Sequence, residues 1–307
     1  MLQLFLLLAM IFTLVSLSFV IAATFTPMIT GVEATAIIGM TEDSSREVVN
    51  AAMLYQFISS IMAFAGTGFL YAFASHPKPI TYLGLKKGIN VTQLILASII
   101  AIAAIPLILQ IGGLIRIVDL GSYANSLQEA ADKSVKAFTN IETYPQLLWG
   151  LLVFALTPAL GEELLFRGVV LRFIHKRTQS PHHSVILTAL LFAFIHFQPY
   201  NLIPIFIMGV LLGYLYYYTG SLWISILVHF VYNGSQIYLS YLASTGMIPE
   251  GTAEMEHFPA YIILIAVVVA AGAFLLFKKK ITPLQPGWSD DFTPQELEER
   301  ANKNKLN

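Results

Sequence analysis

Two carboxylates and a guanidinium, Glu162, Glu163 and Arg167, stand within six residues of each other in a chain that is apolar on both sides. An ionisable side chain at the centre of a bilayer costs roughly 2.5 to 3.5 kcal/mol on insertion scales, so three together need partners and mark a functional site. On a helix, Glu163 and Arg167 are four residues apart with the acid on the N-terminal side, the favourable order for an ion pair. Glu162 projects about 100° away from Glu163 and is left over. An unpaired carboxylate in a low-dielectric place is suited to taking a proton near neutral pH, which is what a general base must do. Further along, Phe192 with His196 and His229 with Asn233 are also spaced by four residues, each pair on one expected helical face. A lone intramembrane histidine is more often a packing partner than a catalyst. Three apolar helices that each offer polar groups at one-turn spacing require a shared polar cavity. Glu162, His196, His229 and Asn233 are therefore expected to converge on one cavity, open toward the cytoplasm.

In order, Glu162-Glu163-x-x-x-Arg167, Phe192-x-x-x-His196 and His229-x-x-x-Asn233 resemble the motif set of the CAAX protease and bacteriocin-processing (CPBP, or Abi) membrane proteins. That family includes the eukaryotic type II CAAX prenyl endopeptidase, an intramembrane glutamic protease. Each motif alone is weak, and the three in order within about 70 residues are fairly specific. The resemblance covers roughly residues 146–243. It implies an endopeptidase without cofactor or metal. Glu162 would be the base that activates a water, with His196 helping to hold that water, and Glu163 and Arg167 would orient the site. His229 and Asn233 would form the oxyanion hole, and Phe192 would shape the pocket. Amide hydrolysis needs a base and donors placed where the carbonyl oxygen becomes negative, and these residue types can supply both.

Other readings use the same residues. Glu162, His196 and His229 make a known catalytic zinc ligand set, although no H-E-x-x-H helix is present. A transporter would also place Glu, Arg and His at depth but would usually show inverted halves, and residues 1–145 hold no counterpart of the Glu-Glu stretch. A non-enzymatic membrane scaffold or bacteriocin-immunity protein could keep the site as a structural polar network. His182 and His183 read as solvated flanks, His175 as part of a basic helix end and His257 as part of an outer loop. Tyr214, Tyr216, Tyr217 and Tyr218 read as an interfacial aromatic belt.

The elements that must position these residues follow from composition. With 307 residues, 56% hydrophobic and 11% charged, the chain carries more apolar surface than a soluble core can bury. The expected fold is all-α, a polytopic transmembrane bundle of about eight helices, with one membrane domain over residues 1–280 and its catalytic core at about 146–243. The apolar runs are 1–23, 51–74, 91–111 (interrupted by Pro106), 146–160 (interrupted by Pro158 and continuing past Arg167), 184–197, 202–218, 222–242 and 260–277. Pro158 should kink or break its helix just before the carboxylates. Residues 24–50 read as an exposed loop, and Ser126-Leu-Gln-Glu129 as the start of a short helix in the longest polar connection. Gly209-Val-Leu-Leu-Gly213 offers a small-residue face for close helix contact.

Lys78, Lys86 and Lys87, the cluster from Arg172 to Arg177, and Lys278 to Lys280 alternate so as to share one side. The positive-inside rule makes that side cytoplasmic, with both termini in the cytoplasm of a multi-pass cell-membrane protein. Residues 281–307 form a cytoplasmic tail with a short helix expected at Thr293-Pro-Gln-Glu296. The expected partners are membrane lipids and a protein or peptide substrate, membrane-anchored or lipidated. A net charge of −1, with no Lys/Arg-rich run that suggests a nucleic-acid face, gives no sign of a nucleic-acid partner. The absence of cysteine removes disulfides and thiolate chemistry.

Overall fold

The computed structural model describes residues 2–249, 252, 255, 257–285 and 287–289, and these contain helices and no strand. Nine helices of 14 residues or more follow in order among the described residues. They are α1 (Leu2–Thr30), α2 (Arg46–Ser75), α3 (Val91–Arg116), α4 (Ser122–Thr139), α5 (Tyr144–Thr178), α6 (Pro181–Phe194), α7 (Leu202–Thr219), α8 (Leu222–Ser244) and α9 (Ala260–Lys278). Among the described residues, six segments are long and apolar enough to cross a membrane: Phe5–Thr30, Arg46–Ser75, Val91–Arg116, Tyr144–Thr178, Pro199–Thr219 and Ala260–Lys278. The chain is a multi-pass helical membrane protein. The other two expected spans also form helices, but α6 has only 14 residues, and α8 is interrupted by Ser225, His229, Asn233, Ser235, Gln236 and Ser240.

Several expected boundaries move, each for a local reason. α1 continues to Thr30 through Pro27, with the Thr24 and Thr30 hydroxyls each returning to the carbonyl four residues back at 2.8 Å. α2 already begins at Arg46, so the expected 24–50 loop shrinks to a link holding one short turn at Ala34–Ile38. α3 starts where the Asn90 side chain accepts from Gln93 N at 3.1 Å and passes Pro106 without stopping. α4 begins four residues before the anticipated capping box, and the Ser126 hydroxyl instead bonds Tyr123 O.

Pro158 does not break α5, which runs from Tyr144 to Thr178. The backbone widens into π-helical stretches at Leu151–Leu156 and Phe166–Val170, on either side of the Glu162-Glu163 pair. Such single-turn widenings absorb the missing hydrogen bond of a proline and occur often at functional sites.

The two ends of the bundle sort as the charge pattern requires. At one end the 76–90 connection, the α7–α8 turn and residues 280–285 and 287–289 meet. Leu222 N donates to Gly84 O, Trp223 Nε1 to Leu85 O, Lys87 Nζ to Thr282 O and Gln93 Nε2 to Lys280 O. At the other end, Arg116 pairs with Asp132, Tyr200 N donates to Gln128 Oε1, and Gln110 bonds His257. The basic clusters thus share an end.

One residue given a surface role turns out otherwise. Tyr216 is fully buried and edge-on to Trp288, not part of a belt. His175 lies in the basic end of α5, as expected, and is buried and hydrogen-bonded to Ser289 at 2.9 Å, because residues 281–285 and 287–289 fold back over that end. His182 is exposed, as expected of a solvated flank, and its Nδ1 lies 2.7 Å from the Tyr214 hydroxyl. The helix expected at Thr293–Glu296 lies outside the described residues.

Candidate active site

Glu162 and Glu163 sit in α5 where its backbone is tightly surrounded. A Cβ on Gly161 would come within 2.9 Å of Phe64 Cβ, and one on Gly68 within 2.9 Å of the Leu164 backbone, so α2 and α5 touch nearly backbone to backbone here. This seals the helix on one side and leaves the carboxylates facing the bundle interior. Both are buried, Glu163 completely.

Glu163 forms the ion pair read from its spacing. Arg167 Nη1 donates to its Oε1 at 2.6 Å, and neither side chain is exposed. Arg167 Nη2 donates to Gly209 O of α7 at 2.9 Å, and the guanidinium lies 4.8 Å over the Phe192 ring of α6. A buried arginine is tolerable only with such engagement of its donors. Gly209 enables this: a Cβ there would lie 3.0 Å from Ala189 Cβ, so α6 and α7 approach closely and α7 can present a carbonyl to Arg167. The small-residue face was legible as a packing device. Nothing in the sequence said that it also supplies an acceptor.

His229 of α8 lies between the two acids. Its Nδ1 is 3.0 Å from Glu163 Oε1, an atom that already accepts from Arg167, so Nδ1 carries the hydrogen and donates. Its Nε2 then faces Glu162 Oε2 across 3.9 Å. That distance is too long for a direct hydrogen bond, but one water about 2.8 Å from each atom would span it.

Phe192 is the ring around which the cluster gathers. It lies 5.2 Å from Phe166, 4.8 Å from His196 and 6.2 Å from His229, each edge to face. His196 is not on the helix with Phe192. α6 ends at Phe194, and His196 occupies the turn that follows. The four-residue spacing still brings the two together, because His196 Nδ1 lies 2.7 Å from Phe192 O. A carbonyl can only accept, so Nδ1 is the protonated nitrogen and Nε2 is free to face outward from its own helix.

Asn233 is one turn beyond His229 on α8, and its Nδ2 donates to Phe154 O at 3.3 Å. That acceptor is created by sequence. Pro158, which was expected to kink or break the helix, has no N–H to give the carbonyl four residues back, and so leaves Phe154 O open to Asn233. Glu162, Glu163, Arg167, Phe192 and His229 thus contact one another, His196 joins through Phe192, and Asn233 is held one turn away. Among the described residues no group of three His, Asp or Glu side chains is arranged to hold a metal ion, so the zinc reading lacks a ligand set.

Residues 144–235 match the family described as Type II CAAX prenyl endopeptidase Rce1-like. The matched stretch contains every candidate site residue and reaches from the start of α5 into α8. No curated protein and no solved structure matches the chain.

Proposed function

We propose that this chain, whose residues 144–235 match the type II CAAX prenyl endopeptidase Rce1-like family, is a glutamic-type intramembrane endopeptidase with Glu162 as the general base. The observation that carries this reading is the 3.9 Å gap between Glu162 Oε2 and His229 Nε2, beside an ion pair in which Arg167 neutralises Glu163. A water in that gap gives its proton to Glu162 as its oxygen attacks the scissile carbonyl.

The tetrahedral oxyanion then needs donors. His229 Nδ1–H is committed to Glu163, so donation from Nε2 requires the imidazolium, and Glu162, Glu163, Arg167 and His229 together then carry no net charge. Asn233 is the second donor, released from Phe154 O when a substrate carbonyl arrives. His196 offers Nε2 as an acceptor that holds the water in line. Removing one oxyanion donor typically costs 10²- to 10³-fold in rate.

The substrate is a protein or peptide held at the membrane, and the family's name points to prenylated chains ending in a CAAX sequence. The basic end of the bundle is cytoplasmic, in a multi-pass cell-membrane protein with both termini inside. The test is a digest of a proteome-derived peptide library, supplemented with a farnesylated CAAX-type peptide, by wild type and Glu162→Gln. Cleavage by wild type alone supports the proposal. Equal products from both proteins contradict it. A physiological role that survives Glu162→Gln unchanged would favour a scaffold or immunity protein.

A further inference from the structure

The turn carrying His196 is fixed from outside the matched helices. α6 is short: 14 residues rise about 21 Å, against roughly 30 Å of hydrocarbon, so the 195–201 connection begins at membrane depth. Irregular backbone there must be covered and paired by protein. On the helix side it is held weakly, with His196 N to Ala193 O and Phe197 N to Phe194 O both at 3.3 Å. Phe197 adopts φ +51°, a left-handed conformation that a non-glycine residue keeps only when its surroundings impose it.

Those surroundings are on α4. Three residues past Phe197, Tyr200 is buried, and its backbone N donates to Gln128 Oε1 at 3.3 Å. Its hydroxyl donates to Asn125 Oδ1 and accepts from Leu120 N at 3.1 Å. Gln128 is itself buried and passes the constraint on, with Nε2 to Asp132 Oδ1 at 2.9 Å, while Arg116 grips both Asp132 oxygens at 3.0 and 3.2 Å. These side chains also line a polar cavity at this end, and they bind one another across it. The lining therefore reads as a clamp and not as a ligand site.

We propose that Tyr200, gripped by Asn125 and Gln128 of α4, is a positioning residue that fixes the turn holding His196, which makes the amphipathic α4 part of the working site. The proposal rests on His196 having the water-holding role given above. With the clamp in place, the His196 ring keeps one orientation, Nδ1–H on Phe192 O and Nε2 directed away from its helix. Without it, the turn relaxes and the ring loses that bond. A displacement of about 1 Å in a positioned group can cost on the order of 10²-fold in rate.

The experiment combines ¹⁵N-histidine NMR of the full chain in micelles with kinetics on the best peptide from the library digest. His196 is assigned as the signal lost in His196→Gln. In wild type it should show a single tautomer with Nδ1 protonated. Tyr200→Phe removes only the hydroxyl, and Gln128→Ala is examined beside it in case either variant fails to fold. The His196 signal should move to tautomer-averaged values, with kcat reduced about tenfold or more and KM little changed. An unchanged His196 signal in the folded variants overturns the proposal, as does a shifted signal with wild-type kcat. The function reading fails separately, if Glu162→Gln cleaves as fast as wild type, and the spectrum still decides the clamp in that case.

Discussion

Glu163→Gln should destabilise the fold as well as the reaction, and the structure indicates by how much. The substitution keeps the shape of the side chain and an oxygen near Arg167, but it removes the only full negative charge within 2.6 Å of a guanidinium that has no solvent exposure. Breaking a buried pair from one side typically costs about 3 to 5 kcal/mol, because the remaining charge is stranded. The hydrogen bond from His229 Nδ1 at 3.0 Å loses its charged acceptor in the same step. At about 2 to 4 °C per kcal/mol for a chain of this size, the apparent Tm in detergent should fall on the order of 10 °C. Removing both charges, with Glu163→Leu and Arg167→Met together, should leave the protein at least as stable as Glu163→Gln, although inactive. Fluorescence-detected thermal unfolding at fixed detergent and protein concentration makes the comparison. A Glu163→Gln protein that melts within about 1 °C of wild type, or a double variant well below it, would refute the stranded-charge argument.

Gly209→Ala forces a methyl to within 3.0 Å of Ala189 Cβ and 3.3 Å of Phe192 Cδ1, and should cost about 1 to 3 kcal/mol along with most activity, whereas Gly272→Ala, with nothing within 4 Å, should be close to neutral in the same melt. At Asp132 burial acts to raise the carboxyl pKa, but hydrogen bonds from Arg116 and Gln128 and the charges of Arg116 and Lys136 outweigh it and hold the group below its ordinary value. A depressed carboxyl stabilises the fold above the unfolded value of about 3.9, and that stability is lost as pH falls through the lower folded value, so wild type should lose more Tm than Asp132→Asn on acidification below about pH 4. Reporter fusions after Lys280 and within residues 120–140 should lie on opposite sides of the membrane, and finding them on one side would break the orientation assigned from the basic clusters.

The sequence showed the fold through uninterrupted apolar runs, since a helix at membrane depth has few alternatives once its backbone must be satisfied internally. Its boundaries were less visible, because side-chain bonds to carbonyls and π-helical turns carry helices past the end of an apolar run or past a proline, as at Thr24, Pro27 and Pro158. The Glu163–Arg167 pair was legible because it depends on one helical repeat. Partners from other helices were not: Gly209 O for Arg167 and Phe154 O for Asn233 are backbone atoms, and a backbone atom leaves no residue type to read. His196 shows both sides of this. Its spacing from Phe192 correctly implied proximity, but the helix ends two residues earlier, and what holds the turn lies on α4, about 70 residues away in sequence.

The central claim is that Glu162 takes the proton from water, and the direct measurement is the single-turnover cleavage rate of one identified peptide by wild type and Glu162→Gln, with chelator present throughout. Gln keeps the size of the side chain and a carbonyl acceptor but cannot hold the proton. The account predicts a folded variant with a wild-type melting profile and a rate lower by about 10²- to 10⁴-fold, with the wild-type rate unaffected by the chelator. A Glu162→Gln rate within a few-fold of wild type, or wild-type activity abolished by the chelator and restored by Zn²⁺, would contradict it.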